Sequence, residues 1–230
     1  MIKLSVAIMA VPSRSDEVNR IVKKLGVRVP VFYDTDKKGP WFNAQRAWGS
    51  VRSGASHHLV LQDDIVLCGN FMNTVEHLCS LRPNDILNLF SMRKDSFEAQ
   101  AAGTSWIRTD YGVWGQAIVM PVPFIPKMLR WSRTNLKEEF PYDDSRITMW
   151  MESIKRSAYV PSPNIVDHID GESTLGHKTP LPRKSRYFIG EDVDGMSVDW
   201  NKGFDTPRAL HLGNSTTKYA KHFINAPQKS

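Results

Sequence analysis

Cysteine and long hydrophobic runs are both scarce in this chain of 230 residues. Its two cysteines, Cys68 and Cys79, are too few for a disulfide framework and lack a metal-binding spacing, so we expect reduced thiols in or near the core. No apolar run approaches the roughly 20 residues that span a bilayer. Residues 1–4 lead directly into a strand pattern instead of a signal peptide. We therefore expect a cytoplasmic protein.

Signatures of several functional classes are also missing. The sequence has no recognisable helix-turn-helix, zinc or RNA-binding signature, which counts against a non-enzymatic nucleic-acid-binding module. It also has no glycine-rich basic loop near the first strand, which counts against a sugar nucleotidyltransferase. Both classes stay as alternatives. The first fits the basic charge of the chain, and proteins of the second class have an α/β core and need a metal ion.

The charge of the chain favours an anionic partner. The formal net charge is +6 and the sequence pI is about 9.3. Residues 178–230 carry nine lysines and arginines against five acidic residues, so much of the excess lies in the last quarter. Such a basic flank suits a nucleotide diphosphate, a nucleic acid or an acidic glycan. A basic surface that only keeps the protein soluble fits equally well.

Our interpretation depends most on two adjacent carboxylates that follow an apolar run. Residues 57–67 read HHLVLQDDIVL, which is typical of a strand buried on both faces, with Asp63 and Asp64 near its end. Adjacent like charges repel and are costly to desolvate unless a cation or hydrogen-bond donors meet them. The pair therefore predicts a ligand site, unless the two aspartates only open a solvated turn.

The first third of the sequence predicts a β-α-β-α-β order. Three apolar runs within residues 2–67 predict strands, and apolar residues at helical spacing lie between them. This order implies parallel strands joined by right-handed crossovers. Arg14, Asp34 and the Asp63-Asp64 pair would then lie along one edge, where open α/β sheets bind ligands.

The middle of the chain contains two stretches without a clear helical pattern and, after them, a second acid pair. Residues 93–110 have no period and predict an irregular connection or a mobile loop over a site. Residues 112–121 combine glycines with a short strand, and the glycines would allow close backbone approach to a ligand or to a neighbouring strand. Asp143 and Asp144 precede a helical pattern, where the helix dipole stabilises acids and where acids often serve as caps. A catalytic role and a capping role both fit this pair.

One late segment is rich in metal-binding side chains. Residues 167–177 are polar, contain glycines, and include His168 and His177. Isolated histidines in loops usually have no special role. In a chain that also offers a carboxylate pair, however, they indicate a divalent-metal site, because imidazole and carboxylate ligands suit such ions.

Taken together, these patterns resemble the GT-A fold glycosyltransferases over roughly residues 1–178. The resemblance implies an α/β fold of the Rossmann type, with a mostly parallel central sheet flanked by helices, that binds a nucleotide sugar. A DxD-type motif ends a central strand in that family, and Gln62-Asp63-Asp64 resembles it with glutamine in the first position. Residues 179–230 would then form a basic appendage on the acceptor side or in a dimer contact.

The resemblance also implies roles for individual residues. A metal ion, Mn²⁺ or Mg²⁺, would be held by Asp64 and His168, with His177 left open as a further ligand. An acidic residue at a helix start would be the catalytic base, which implies Asp144 first and Asp143 second. The nucleotide would contact polar and charged side chains near the strand ends, which are Arg14, Asp34, Arg46, Gln62 and Asp63.

These roles imply a metal-dependent glycosyltransferase that moves a sugar to an acceptor hydroxyl with inversion, with a UDP-sugar as the expected donor. The acceptor is less visible in the sequence. A hydroxymethylated base in DNA, the acceptor of some phage enzymes that act in the host cytoplasm, would fit the basic segment 182–186. A glycan or a protein would fit the fold equally well.

Overall fold

The computed structural model describes residues 1–110, 112–169, 183–203 and 223–225. These residues form a mixed α/β fold with a seven-stranded central sheet and a separate two-stranded sheet. The strands are β1 (Leu4–Ala10), β2 (Val31–Tyr33), β3 (His57–Gln62), β4 (Ile65–Leu67), β5 (Ile86–Asn88), β6 (Trp106–Thr109), β7 (Ala117–Pro121), β8 (Ala158–Pro161) and β9 (Val166–His168).

Helices flank the central sheet. They are α1 (Ser15–Leu25), α2 (Pro40–Gly49), α3 (Phe71–Leu81), α4 (Asp95–Ala102), α5 (Ile125–Asn135) and α6 (Asp143–Ser153). In the part of the chain that the structure describes, none of them has both the length and the apolar character needed to span a bilayer.

The central sheet has the strand order β2-β1-β3-β7-β5-β8-β6. Strands β1, β2, β3, β5 and β8 share one direction, whereas β7 and β6 run the opposite way. The predicted α/β class with a mostly parallel sheet is therefore confirmed. The two reversed strands make the β3–β7, β7–β5 and β8–β6 pairs antiparallel.

The first five elements have the predicted β-α-β-α-β order, and their topology creates a crevice. Both β2 and β3 pair in parallel with β1, one on each side of it. The winding direction therefore reverses between β1 and β3, and in open α/β sheets ligands bind at the carboxyl ends of the strands at such a point. Arg14 follows β1 and the Asp63-Asp64 pair follows β3 at this edge.

Burial follows the sequence pattern in this half. All seven residues of β1 are buried, as expected for a strand covered on both faces. Helix α1 buries Val18, Ile21 and Leu25, which repeat at helical spacing. Cys68 and Cys79 are free and buried, as expected, and burial raises the pKa of each thiol to about 12. These thiols are therefore unreactive core residues.

Two predictions of local structure are wrong. Residues 57–67 do not form one strand, because the chain leaves the central sheet at Asp63 and Asp64, and β4 pairs with β9 instead. Residues 93–110 are not irregular, since they contain α4 and β6. Strand β6 is specified by its pairing with β8 and by the burial of Trp106. Because these contacts are long-range and the strand is short, the sequence shows no alternation of apolar and polar residues there.

Residues 183–203 pack against the α/β fold. Trp200 is 1% exposed and belongs to the hydrophobic cluster that includes residues of β1 and β3. Its backbone C=O accepts a hydrogen bond of 2.8 Å from the indole N–H of Trp106. The predicted domain division at residue 178 lies outside the described residues and stays a prediction.

Candidate functional site

The first acid of the Asp63-Asp64 pair joins the carboxyl ends of β1 and β3. Asp63 Oδ2 accepts a hydrogen bond of 2.7 Å from the N–H of Val11, the residue that directly follows β1. Asp63 Oδ1 accepts one of 2.8 Å from Arg14 Nη1. Arg14 ends a short 3-10 turn and is the N-cap of α1. The structure therefore brings Arg14 and Asp63 together in the crevice.

Asp64 lies between Arg14 and His168. Its Oδ2 atom is 2.5 Å from Arg14 Nη1 and 3.2 Å from His168 Nε2. Its Oδ1 atom is buried and has no hydrogen-bond partner among the residues that the structure describes. A buried carboxylate oxygen without a donor is costly. This atom therefore indicates a cation or another ligand at the site.

The two-stranded sheet holds His168 beside Asp64. Ile65 pairs with His168 in the antiparallel β4–β9 ladder, and the Ile169 N–H donates a hydrogen bond of 2.8 Å to the Asp64 C=O. Lys184 Nζ donates to the His168 C=O at 2.5 Å. The His168 side chain is only 7% exposed. Backbone pairing thus fixes the imidazole next to the carboxylate.

The surroundings act differently on the two acids of this pair. Burial raises the pKa of Asp63, and the Val11 N–H and Arg14 only partly offset that effect. Burial also acts to raise the pKa of Asp64, but hydrogen bonds and charges from His168 and Arg14 outweigh it and hold that pKa below its ordinary value. Asp64 is therefore ionised at neutral pH, as a cation ligand must be.

The second acid pair forms the first two residues of α6. Asp143 is 5% exposed, whereas Asp144 is partly exposed, and Asp144 Oδ1 accepts a hydrogen bond of 2.6 Å from the Ser145 N–H. Burial, and then the charge of Asp144, raises the pKa of Asp143 to about 7. This pair therefore exchanges a proton near neutral pH, which suits general acid–base chemistry.

Gly115 connects the two acid pairs. A Cβ atom on Gly115 would lie 2.7 Å from Gln62 Nε2 and 3.5 Å from Asp143 Oδ1, so these two side chains converge on one point. Gln62 directly precedes the first pair, and Asp143 begins the second. A larger residue at position 115 would displace Gln62, so the close backbone approach at Gly115 lets Gln62 and Asp143 lie near each other.

A buried arginine, which the sequence analysis missed, holds the segment before α6. Arg146 is 0% exposed. Its guanidinium donates to the Phe140 C=O at 2.8 Å, to Ser132 Oγ at 3.0 Å and to the Lys137 C=O at 2.5 Å. The available signal was its i, i+4 spacing to Trp150, which puts both side chains on the buried face of α6. Arg146 thereby anchors the approach to the second acid pair.

Two predicted nucleotide contacts lie next to β2. Asp34 follows β2, and its carboxylate oxygens accept hydrogen bonds of 2.8 and 2.9 Å from the N–H groups of Lys38 and Gly39. Arg46 Nη1 donates to the Tyr33 C=O at 3.0 Å. The structure places both side chains at the β2 end of the same sheet edge, where they shape the local turn. Their roles in nucleotide binding stay predictions.

The side chains of Asp64 and His168 are of the chemical types that bind divalent cations. Carboxylate oxygen and imidazole are both ligands that Mn²⁺ accepts, and Asp64 Oδ1 lacks a donor within the described part. Within the described ranges, no group of three or more His, Cys, Asp or Glu residues is arranged to hold a metal ion. The two residues would therefore share the ion with oxygens of a bound ligand. His177 lies outside the described residues, and its role stays a prediction.

Comparisons with known proteins give one kind of match. Neither protein-family models nor curated proteins match the chain. Among solved structures, the chain is similar to a mutant of β1,4-galactosyltransferase 7 from Drosophila in complex with manganese, UDP-Gal and xylobiose, with 9% identity and a TM-score of 0.42. The match covers 77% of this chain and 76% of that one. At this level of similarity, the function of this chain has to follow from its own site.

Proposed function

We propose that this protein is a metal-dependent glycosyltransferase that moves a sugar from a nucleoside-diphosphate sugar, with UDP as the expected nucleotide, to an acceptor hydroxyl. The observation that carries the proposal is the contrast between two unlike acid pairs, one after β3 and one at the start of α6. Gln62, the neighbour of the first pair, and Asp143, the first acid of the second, converge on Gly115. Asp64 is ionised and has a buried oxygen without a donor in the described part, whereas Asp143 holds a proton to about pH 7. Glycosyl transfer uses both, a cation site for the leaving group and a proton acceptor for the attacking hydroxyl.

The β3 end of the site would bind the donor. Asp64 and His168 would hold the divalent cation, which when bound neutralises the charge that develops on the diphosphate. Arg14 contributes a guanidinium that can bind phosphate with two hydrogen bonds. The other residues assigned to the nucleotide are Asp34, Arg46, Gln62 and Asp63.

The α6 end of the site would deprotonate the acceptor. We assign the general base to Asp144, because it is the more exposed member of its pair, with Asp143 as the second choice. As the acceptor oxygen attacks the anomeric carbon, its proton passes to the carboxylate, and the bond to the diphosphate oxygen breaks with its electron pair. A single displacement of this kind inverts the anomeric centre. NMR of the product would show which anomer forms.

Basic residues beside His168 favour a polyanionic acceptor. Lys184 contacts both the His168 C=O and Asp167, its side chain is 41% exposed, and Arg186 nearby is exposed as well. DNA with a hydroxymethylated base, which presents phosphates to such residues, is therefore one acceptor that we propose, beside a glycan or a protein. DNA binding that weakens steeply with salt would support this acceptor. Binding that is absent or independent of salt would favour a glycan or a protein.

Calorimetric titration of UDP and UDP-glucose tests the donor site. Wild type should bind both with Mn²⁺ and lose that binding with a chelator, and Asp64→Ala should bind neither. Asp36→Ala, which removes an exposed carboxylate near β2, should behave like wild type. If neither UDP-sugars nor other nucleotide sugars bind to wild type, the proposal fails, and a nucleic-acid-binding module becomes the leading interpretation.

A further inference from the structure

The protein supplies the Asp63-Asp64 pair with a cation of its own. Arg14 Nη1 lies 2.8 Å from Asp63 Oδ1 and 2.5 Å from Asp64 Oδ2, and the Arg14 side chain is 16% exposed. One nitrogen atom therefore bridges both carboxylates. It offsets their mutual repulsion and donates a charge-assisted hydrogen bond to each, as a divalent ion at this place would offset the same charge.

We infer that Arg14 is an exchangeable counter-ion of this acid pair, an inference that rests on the proposed function. Before the donor binds, the guanidinium occupies the acids. When an anionic diphosphate binds, the guanidinium turns to it, and a divalent cation then binds Asp64 with full affinity.

The geometry makes Arg14 and a metal ion compete for Asp64. The Oδ2 atom accepts from both Arg14 and His168, so its lone-pair directions are already used. An ion on Oδ1, the oxygen without a donor in the described part, would still share the carboxylate with the guanidinium. Like charges on one carboxylate repel in a partly buried site. Metal binding without donor should therefore be weak.

The diphosphate offers Arg14 a second partner. The first turn of α1 also carries Asp16 and Glu17, which repel phosphate, whereas the guanidinium of Arg14 attracts it. A guanidinium on a long, partly exposed side chain can turn from carboxylate to phosphate without a backbone change. Once Arg14 binds phosphate, Asp64 is free to bind the metal, and donor and metal should therefore favour each other's binding.

The test is Mn²⁺ binding without nucleotide, followed by electron paramagnetic resonance. Arg14→Gln should bind Mn²⁺ at least about tenfold more tightly than wild type, because a competing charge is removed. Arg14→Lys, which keeps the charge, should stay close to wild type. Lys23→Gln removes the same charge from an exposed position on α1 and should change the affinity by less than about twofold, since exposed charges are screened.

A second titration measures the coupling to the donor. UDP should raise the Mn²⁺ affinity of wild type, and this increase should shrink in Arg14→Gln, where no guanidinium has to move. Circular dichroism would confirm the fold of each variant, and Arg14→Met serves as a second neutral variant. Equal Mn²⁺ affinity in wild type and a folded neutral variant would overturn the inference. Because that comparison needs no nucleotide, it is separate from a failure of UDP to bind, which would overturn the proposed function.

Discussion

The two Asp-Asp pairs of this site have the same composition and opposite electrostatic settings. At the end of β3, Asp64 meets a guanidinium and an imidazole, and its pKa lies below the ordinary value. At the start of α6, Asp143 is buried beside the charge of its neighbour, and its pKa rises to about 7. Asp64 keeps its charge, whereas Asp143 keeps a proton.

This difference shows that the surroundings of an acidic dipeptide determine what it can do. A carboxylate that remains charged can attract a cation, whereas one that titrates near neutral pH can accept and release a proton. Two carboxylates whose pKa values are pushed apart are the usual arrangement where a site separates these tasks. The contrast yields four predictions about the β3 pair, the α6 pair and the residue between them.

The largest effect should follow removal of the assigned base. Asp144→Asn keeps the shape of the side chain but cannot accept a proton, so kcat should fall by about 10²- to 10⁴-fold. The Kd for the donor, measured by calorimetry, should stay within about twofold, because Asp144 is not one of the residues assigned to the nucleotide. Glu152→Gln, at the exposed end of α6, is the matched control. Unchanged turnover in Asp144→Asn would remove the base role.

A smaller effect should come from the histidine of the other pair. His168→Gln removes the imidazole that lies 3.2 Å from Asp64 Oδ2, so metal-dependent affinity for UDP should fall by about 10- to 100-fold. Calorimetry with Mn²⁺ measures this loss. His77→Gln, on α3, should have no such effect. If His168→Gln binds UDP like wild type, His168 is a packed core residue without a role in the donor site.

The buried acid of the α6 pair should make stability depend on pH. The pKa of Asp143 is about 7 in the fold against an ordinary 3.8, so the folded protein retains a proton that the unfolded chain has released. This stabilisation is present below about pH 4 and is lost as the pH rises to about 7. The free energy of unfolding of Asp143→Asn, relative to wild type, should therefore increase by on the order of 4 kcal/mol between pH 4 and pH 8.

Urea denaturation at the two pH values measures that change. Asp36 is an exposed acid, so the relative stability of Asp36→Asn should change very little between the two pH values. A variant whose relative stability is the same at both pH values would contradict the raised pKa and remove the contrast between the pairs.

The smallest effect should appear at the residue between the pairs. In Gly115→Ala, the new Cβ would lie 2.7 Å from Gln62 Nε2, which is the end of a flexible side chain. The free energy of unfolding should change by less than about 1 kcal/mol, but a displaced Gln62 should weaken UDP binding by about three- to tenfold. Gly49→Ala, where a Cβ meets nothing within 4 Å, is the control. Equal UDP affinity in both variants would mean that Gln62 does not contact the donor.

The sequence allowed much of the first half of the fold to be predicted, because β1, α1 and β3 are long enough for periodicity to show burial. The acid pairs were visible for the same reason, since charges interrupt clear apolar patterns. The contact of Arg14 with both acids was not visible, because side-chain direction depends on the 3-10 turn after β1. Close backbone approach by the glycines of residues 112–121 was predicted, but the partners of Gly115 were not. Arg146 was missed, because contacts with backbone carbonyls leave no local pattern.

The short β4–β9 ladder has a consequence for how this site tolerates insertions. Side chains alternate along a strand, so a slip of one residue in this ladder would present Asp167 where His168 now faces Asp64. The metal site that we propose would then offer two carboxylates instead of a carboxylate and an imidazole, with a different preference among metal ions. An insertion of one residue within β4 or β9 would therefore remove His168 from its position beside Asp64, as a substitution of His168 would.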